Sequence, residues 1–277
     1  MPILHETRFY PDGLPIFADS PHNLEFLAHW HPDIEILLVI QGSLIAAVNQ
    51  EKRVLEEGDI LVCGSQDIHF FERSRSSSDS ILLIFKPELI GHSMLWPVER
   101  RLSRNFVSPR TEASLALVLR NLVVGIFTEM EEKMESYALV ARGRVMELCG
   151  MLERELTVAV DQAAPVATAF PALERMQRAF DYIYESSAYP ISLADAAKAA
   201  SMSPSYFSRV FARTAGSNFR TFLNQVRIEK AEGLMSSSPA TMADIALECG
   251  FESVRTFNRA YRAIRGRTPG SSRRAAS

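Results

Sequence analysis

Two stretches in the last third of the chain can be laid over each other, and this repetition constrains the fold more than any other feature. Leu193-Ala194-Asp195-Ala196-Ala197 matches Met242-Ala243-Asp244-Ile245-Ala246 at an offset of 49. Phe207, Arg209, Phe211 and Gly216 match Phe257, Arg259, Tyr261 and Gly266 at an offset of 50, so one extra residue sits in the second turn. A repeat of this length marks a supersecondary unit used twice. Each copy reads as a short helix, a turn (Ser201-Met202-Ser203 or Cys249-Gly250-Phe251-Glu252-Ser253) and a second helix opened by a serine N-cap, which is the grammar of a helix-turn-helix.

In each second helix the aromatic pair lies i,i+4 and must form the buried stripe. Ser205, Ser208 and Arg209 then face outward in the first copy, with Tyr206 beside them. Arg255, Asn258, Arg259 and Arg262 face outward in the second, with Thr256 beside them. Serine, asparagine and arginine can hydrogen-bond base edges, whereas hydroxyls and helix N-termini favour phosphate oxygens. The competing reading is a plain helical bundle with arginines on a solvated face. It does not explain why Arg209 and Arg259 repeat together with the apolar positions. Between the copies, Phe222, Leu223, Val226, Ile228 and Leu234 recur at helical spacing from Arg220 to Ser236. A helix of that length spans about 25 Å. Such a spacer suits two reading helices set roughly one DNA turn, about 34 Å, apart on one face of a duplex.

Charge points the same way. Residues 1–170 hold 15 Lys and Arg against 24 Asp and Glu, whereas residues 171–277 hold 15 against 9. The net charge of −3 therefore hides a basic C-terminal part, in which Lys198 and Lys230 are the only lysines. Arginine offers a planar fork of donors suited to phosphates and guanine edges.

The C-terminal region resembles the paired helix-turn-helix domain of the AraC/XylS family of bacterial transcription regulators. The residues that carry the likeness are Ile191 to Ala197, Ser203 to Phe211, Gly216, Arg227-Ile228-Glu229-Lys230-Ala231, Asp244-Ile245-Ala246, Gly250-Phe251, Phe257, Arg259 and Gly266-Arg267-Thr268-Pro269. The resemblance spans about 100 residues. It implies sequence-specific binding to double-stranded promoter DNA, one helix of each unit entering adjacent major grooves, with RNA polymerase as a further partner. Val254-Arg255-Thr256 departs from the residues usual there, which leaves the target sequence open.

Upstream the grammar is different. From Ile34 to Phe85, short β-type runs are broken by turn signals at Gln41-Gly42, Asn49-Gln50, Glu57-Gly58-Asp59 and the serine-rich Ser74 to Ser80, as in an antiparallel sandwich or barrel. His29-Trp30-His31-Pro32-Asp33-Ile34-Glu35, with Gly42 and the later His69, fits H-x-H-x3-E-x6-G and resembles the motifs of the cupin barrel. Metal-binding cupins gather two histidines, a carboxylate and a later histidine around a divalent ion. Alternation along one strand would aim His29, His31 and Glu35 the same way. Gly64 and Gln66 stand where cupins usually have Pro and Gly, and Arg73 where they have Asn. Three uses of His29, His31, Glu35 and His69 stay open: a divalent-metal site, polar contacts with a small effector in the barrel lumen, and a structural cluster.

Thr111 to Val160 turns helical, with Leu115, Leu119, Leu122, Val123 and Ile126, then Leu139, Val145, Met146, Leu148 and Leu152. Two helices are expected, either pairing two subunits or packing on their own barrel, and the family resemblance favours a homodimer. Cys63, Cys149 and Cys249 are too widely spaced for a zinc knuckle or redox pair, so they read as core residues. The longest apolar stretches, such as Ile34 to Ile40 with Glu35 inside it, are too short to span a membrane, and Asp12 and Asp19 interrupt any secretory pattern. A cytoplasmic protein with no membrane partner is expected.

The chain thus reads as an α+β protein. A cupin-like effector-sensing barrel occupies 1–100, a helical dimerisation or packing segment 101–160, a linker 161–171 rich in Ala with Pro165 and Pro171, and an all-α DNA-binding domain 172–277. The expected function is a ligand-responsive transcription regulator that requires no cofactor, with a divalent metal in the barrel as an open option. The alternative is a metal-dependent cupin enzyme, a dioxygenase or isomerase, using His29, His31, Glu35 and His69, with the helices as an accessory.

Overall fold

The computed structural model describes residues 10, 13–90, 100–159 and 170–276. Residues 161–169 of the expected linker lie outside them. Contacts divide the chain into two compact units, Thr7–Phe170 and Pro171–Ser277.

The first unit is built on β1 (Ile16–Asp19), β2 (Phe26–His29), β3 (Ile34–Val48), β4 (Glu51–Glu56), β5 (Ile60–Cys63), β6 (His69–Phe85), β7 (Arg100–Leu102) and β8 (Phe106–Val107), then α1 (Ala113–Glu132), α2 (Tyr137–Leu156) and β9 (Thr157–Ala159). Strands β1-β6-β3-β5-β8 form one antiparallel sheet, with β2 also on β6 and β4 also on β3, while β7 and β9 pair apart from it. The sheet continues to Val107, seven residues beyond the expected barrel boundary.

Two of the four anticipated turns are turns: Asn49 links β3 to β4, and Glu57-Gly58 links β4 to β5. The other two are not. Gln41-Gly42 and Ser74 to Ser80 lie inside β3 and β6, which pair with each other along nearly their whole lengths, and the register shifts at 39/41 and 42/44. The first shift inserts one residue in β3, as a β-bulge does, and the second sets residues 74–77 of β6 against Ser43 alone; such irregularities bend a strand without ending it. Polar composition signalled the bend but not that pairing would continue through it.

Alternation along β3 divides the core. Ile34, Ile36 and Leu38 join Ile60, Val62, Leu83 and Phe85 on the face that meets the helices. Leu37 and Val39 join Leu44, Ala46 and Val48 from beyond the bulges, with Leu61, Phe71 and Phe106, in a second cluster. Both halves of one strand thus line a single apolar interior, as in a curled cupin-like sheet. Burial on both faces explains why Ile36 to Ile40 reads as a continuous apolar run. Helices α1 and α2 form an antiparallel hairpin whose Ala116, Leu119, Val123, Ile126, Val145, Leu148 and Leu152 close the outer core. By length and composition α1 could cross a membrane, a property the search for unbroken apolar runs overlooked because Arg120 and Asn121 interrupt it. Here its buried face completes the core of the sheet.

The second unit contains α3 (Phe170–Ser186), α4 (Leu193–Ala199), α5 (Pro204–Thr214), α6 (Phe219–Ser237), α7 (Met242–Glu248), α8 (Val254–Arg265) and α9 (Pro269–Ala276). The repeat is visible down to its caps. Ser192 and Asp195 form a capping box on α4, and Thr241 and Asp244 form the same box on α7, again 49 residues on. Phe207, Phe211, Phe257 and Tyr261 are all fully buried. Around the first copy Phe180, Phe211 and Phe222 pack with centroids 5.2–5.4 Å apart, in the range favoured by aromatic pairs. Around the second, Ile228, Ala231 and Met235 of α6 meet Ile245, Cys249, Phe251, Phe257 and Tyr261. The spacer helix is therefore a wall shared by both copies. Its 19 residues span about 28 Å.

Two cations on α6 tie in the end of α3. Arg227 donates to the carbonyls of Ser187 (2.7 Å) and Tyr189 (2.9 Å), and Lys230 to the Tyr184 carbonyl and Ser187 hydroxyl (both 2.6 Å). Burial lowers the pKa of both groups, yet each faces the carbonyl end of a helix, where a cation is favoured. The second turn fits against the same loop: Gly250 has φ +85°, and a Cβ there would meet the Ser187 carbonyl oxygen at 2.5 Å. The first copy holds Ser201 at the equivalent place with φ +51°. All three cysteines are free and buried, and burial pushes Cys149 up to about 12 and Cys249 up to about 11.

Candidate DNA-reading helices and an enclosed histidine cluster

In the second unit, helix α5 starts with Pro204 at its first turn, after Ser203 in an extended conformation. With Phe207 and Phe211 turned inward, Ser205, Tyr206, Ser208 and Arg209 are all exposed. Helix α8 is better capped: the Ser253 hydroxyl accepts from the Thr256 amide at 3.2 Å, and the Thr256 hydroxyl donates to the Ser253 carbonyl at 2.7 Å. Arg255, Asn258, Arg259 and Arg262 are exposed around it, while Thr256 is half-buried. Thr256 differs from the other anticipated reading residues because its hydroxyl is engaged in the cap.

The arginines of this unit fall into two groups. Arg227, Arg265 and Arg273 are bound to carbonyls or to Glu232. Among the described residues, the side chains of Arg209, Arg255, Arg259 and Arg262 make no ion pair or hydrogen bond. An exposed arginine without a partner keeps all five of its donors for a ligand. Sequence reasoning passed over Glu232, which holds α8 in place. Its only signal was that it is one of two carboxylates, with Glu229, on a helix that also carries Arg220, Arg227 and Lys230.

In the first unit, His29, His31, Glu35 and His69 come together and are each no more than 5% exposed. They do not share one strand, as alternation had suggested. His29 ends β2, His31 precedes the bend at Pro32-Asp33, and Glu35 follows in β3. Proline supplies no amide hydrogen to a ladder, so the string breaks there. Strand pairing brings in the fourth member, since His29 stands directly opposite His69 across β2 and β6.

Each imidazole is oriented by a main-chain carbonyl. Nδ1 of His29 lies 2.8 Å from the Leu27 oxygen, that of His31 3.0 Å from Asp33 and that of His69 2.9 Å from Asp67. A carbonyl only accepts, so each Nδ1 carries a proton and donates, and each ring aims Nε2 toward the centre, as a lone pair wherever the ring is neutral. The inward atoms lie within 4.8 Å of one another. Nε2 of His31 is 3.2 Å and that of His69 3.5 Å from Glu35 Oε2. His29 Nε2, His69 Nε2 and Glu35 Oε1 are buried with no hydrogen-bond partner. With all three rings neutral, three lone pairs and a carboxylate converge; a proton on Nε2 of His31 or His69 instead makes that ring a donor to Glu35.

The electrostatics follow from enclosure. Burial, reinforced by His69 and His31, drives the His29 pKa well down. Burial alone would raise Glu35, but the charge of His69 and the hydrogen bond from His31 outweigh it and hold the carboxyl well below its usual range. Burial likewise would lower His69, and Glu35 more than offsets it.

The loop before His69 keeps its shape despite the departures noted above. Gln66 adopts φ +71°, the left-handed region where glycine is usual. Its amide donates to the His31 carbonyl at 2.9 Å. Asn49 donates to Asp67 Oδ1 at 2.8 Å and the Gly64 amide to Oδ2 at 2.8 Å, while burial raises the Asp67 pKa. The carbonyl that orients His69 is thereby fixed, the kind of outer support that metal-ligating histidines have.

Comparison with known proteins gives matches in both units. A family model described as a helix-turn-helix domain matches residues 196–275, and one described as a cupin domain matches residues 16–85. The chain is 25% identical over 269 residues to the HTH-type transcriptional activator RhaS of Klebsiella pneumoniae (strain 342), covering 95% of this chain and 93% of that protein. It is 22% identical over 279 residues to the HTH-type transcriptional activator RhaR of Yersinia pestis bv. Antiqua (strain Angola), covering 97% and 92%. Among solved structures, apo ToxT K231A from Vibrio cholerae strain SCE256 is 13% identical, with a TM-score of 0.46 over 95% of this chain and 98% of that one. The relatives named are transcriptional activators, which disfavours the enzyme reading of the histidine cluster.

Proposed function

The chain belongs to the AraC/XylS family of transcriptional regulators, and on that premise we propose that α5 and α8 read two successive major grooves of one promoter while the barrel receives the signal. The observation that carries this reading is the duplicated second helix, each copy with two fully buried aromatics on one side and unpartnered arginine on the other. Arg209 with Ser205, Tyr206 and Ser208 serves the first half-site. Arg255, Asn258, Arg259 and Arg262 serve the second, and Thr256 contributes through the cap. The test is a salt titration of binding to a duplex selected from a random pool. A reader making several phosphate contacts loses affinity linearly in log salt, with a slope of about −0.9 per phosphate neutralised.

We place the signal at His29, His31, Glu35 and His69, and the cluster fits a divalent cation. His29 Nε2, His69 Nε2 and Glu35 Oε1 are buried and unbonded beside His31 Nε2; a cation among them would satisfy all four groups in place of the protons that otherwise link His31 and His69 to Glu35, and imidazole with carboxylate suits first-row metals. When bound, such an ion would supply a fixed charge and a coordination position for an oxygen-bearing effector. The protein's own part is to orient the three rings through the Leu27, Asp33 and Asp67 carbonyls and to exclude water.

The hairpin of α1 and α2 is the proposed dimer contact. It buries one face on its own sheet and still exposes Leu117, Val118, Leu139, Val140 and Met146. Apolar residues gathered on one element beyond what packing uses mark an association surface. Such a regulator would act in the cytoplasm as a homodimer, with promoter DNA and RNA polymerase as partners.

A further inference from the structure

Two reading helices set in successive major grooves leave a stretch of minor groove between them, edged by phosphates that face the protein. Whatever forms the wall between α5 and α8 must meet that backbone. The spacer α6 stands there, and between it and α8 opens a cleft of about 850 Å³, into which the first turns of α6 bring Arg220, Thr221, Asn224 and Arg227, and α8 brings Thr256 and Arg259. Arg220, Asn224 and Arg227 follow at i, i+4 and i+7, so they form one stripe along the spacer helix.

The members of the stripe have different commitments. Arg227 is engaged with the Ser187 and Tyr189 carbonyls, so it contributes charge to the wall but few free donors. Arg220 is exposed and, among the described residues, has neither an ion pair nor a hydrogen bond. Asn224 is half-buried beside it and likewise without a side-chain hydrogen bond among the described residues. Against the three arginines the cleft sets one carboxylate, Glu252. Its floor is apolar through Phe219, Leu223 and Phe251. That composition suits a chain of negative charge that passes over the cleft, and it offers little to select a particular base.

We infer that the start of α6 is a third DNA contact, a seat for the phosphodiester backbone between the two half-sites, in which Arg220 pairs with a phosphate and the Asn224 amide donates to a neighbouring oxygen. The inference rests on the reading of α5 and α8 above and adds a residue class to it. Arg220 and Asn224 supply affinity and register, while Arg209 and Arg259 supply sequence discrimination.

The test uses the full chain, a duplex recovered by in vitro selection with the wild-type protein, and a scrambled duplex of the same length, with melting curves to check folding. Arg220→Ala is expected to flatten the plot of log affinity against log salt by about 0.9 on both duplexes, so that the loss between 50 and 200 mM salt shrinks about threefold. The ratio of selected to scrambled affinity should stay within about twofold of wild type. Asn224→Ala, which removes no charge, should lower affinity equally on both duplexes and leave the slope unchanged. An unchanged slope in folded Arg220→Ala, or a ratio that falls as it does for Arg259→Ala, overturns the inference. Failure of the wild-type chain to select any sequence, or to show salt dependence, would instead defeat the DNA-reading assignment itself.

Discussion

Glu232 on α6 grips Arg265 on α8 through two parallel hydrogen bonds, from Nε at 3.0 Å and from Nη2 at 2.9 Å. The same carboxylate accepts from the Tyr261 hydroxyl at 2.9 Å. Tyr261 and Arg265 are one turn apart, so a single side chain of the spacer sets the roll of the second reading helix about its axis. Charge-assisted bidentate pairs are among the stronger polar contacts. Glu232→Ala should cost the C-terminal unit about 1–3 kcal/mol, measured by urea denaturation followed by circular dichroism. It should also weaken binding to a selected duplex. An unaltered denaturation midpoint would remove Glu232 from this role.

Arg259 lies on the exposed face of α8 without a partner among the described residues. Arg259→Ala is expected to weaken binding to a selected duplex by about 1–3 kcal/mol and to relax discrimination at one base position. Fluorescence anisotropy on a set of single-base variants reads both effects. Equal weakening on every sequence would make Arg259 a phosphate contact.

The histidine cluster should retain one divalent ion per chain through purification, measured by elemental analysis. Stripping that ion with a chelator should lower the melting midpoint of the first unit, and returning it should restore the midpoint, because a ligand that binds only the folded state stabilises it. His69→Ala and Glu35→Gln should abolish the response to added ion. If the wild-type melt ignores every first-row metal, the four residues are not a cation site.

Association through the helical hairpin predicts that replacing Leu117 and Leu139 together by glutamate yields a monomer in sedimentation velocity where the wild type sediments as a dimer. Leu117 is 57% and Leu139 74% exposed, and substitutions at exposed positions usually change stability by within about 0.5 kcal/mol each. The melting curve of an isolated subunit should therefore stay close to that of the wild type. A double variant that remains dimeric would place the subunit contact elsewhere.

The C-terminal unit was the more legible part of the sequence, because repetition and helical periodicity both act over short distances. Aromatics at i,i+4 fixed which way Phe207, Phe211, Phe257 and Tyr261 had to face, and the outward positions followed. Helix caps were partly legible: Ser253 caps α8 through its side chain, whereas Ser203 has the extended backbone of a cap residue without the hydrogen bond. The stripe of Arg220 and Asn224 went unseen, since only tertiary packing decides which face of a spacer helix lines a cleft. In the first unit the motif residues were legible but their carriers were not. His29, His31 and Glu35 were expected on one strand, while Pro32 separates two, and bulges in β3 and β6 were taken for chain reversals. In each case the deciding influence was pairing between distant strands, which adjacent residues do not report.

Strand β3 has a consequence for how a signal can leave the barrel. Glu35 points into the enclosed cluster, and its immediate neighbours Ile34 and Ile36 point out onto the layer closed by α1 and α2. A ribbon one residue thick has no slack between its two sides. Whatever tugs on that carboxylate therefore also shifts the bed on which the hairpin rests, and in the proposed dimer an occupant of the lumen would be felt as a change in how the two subunits sit together.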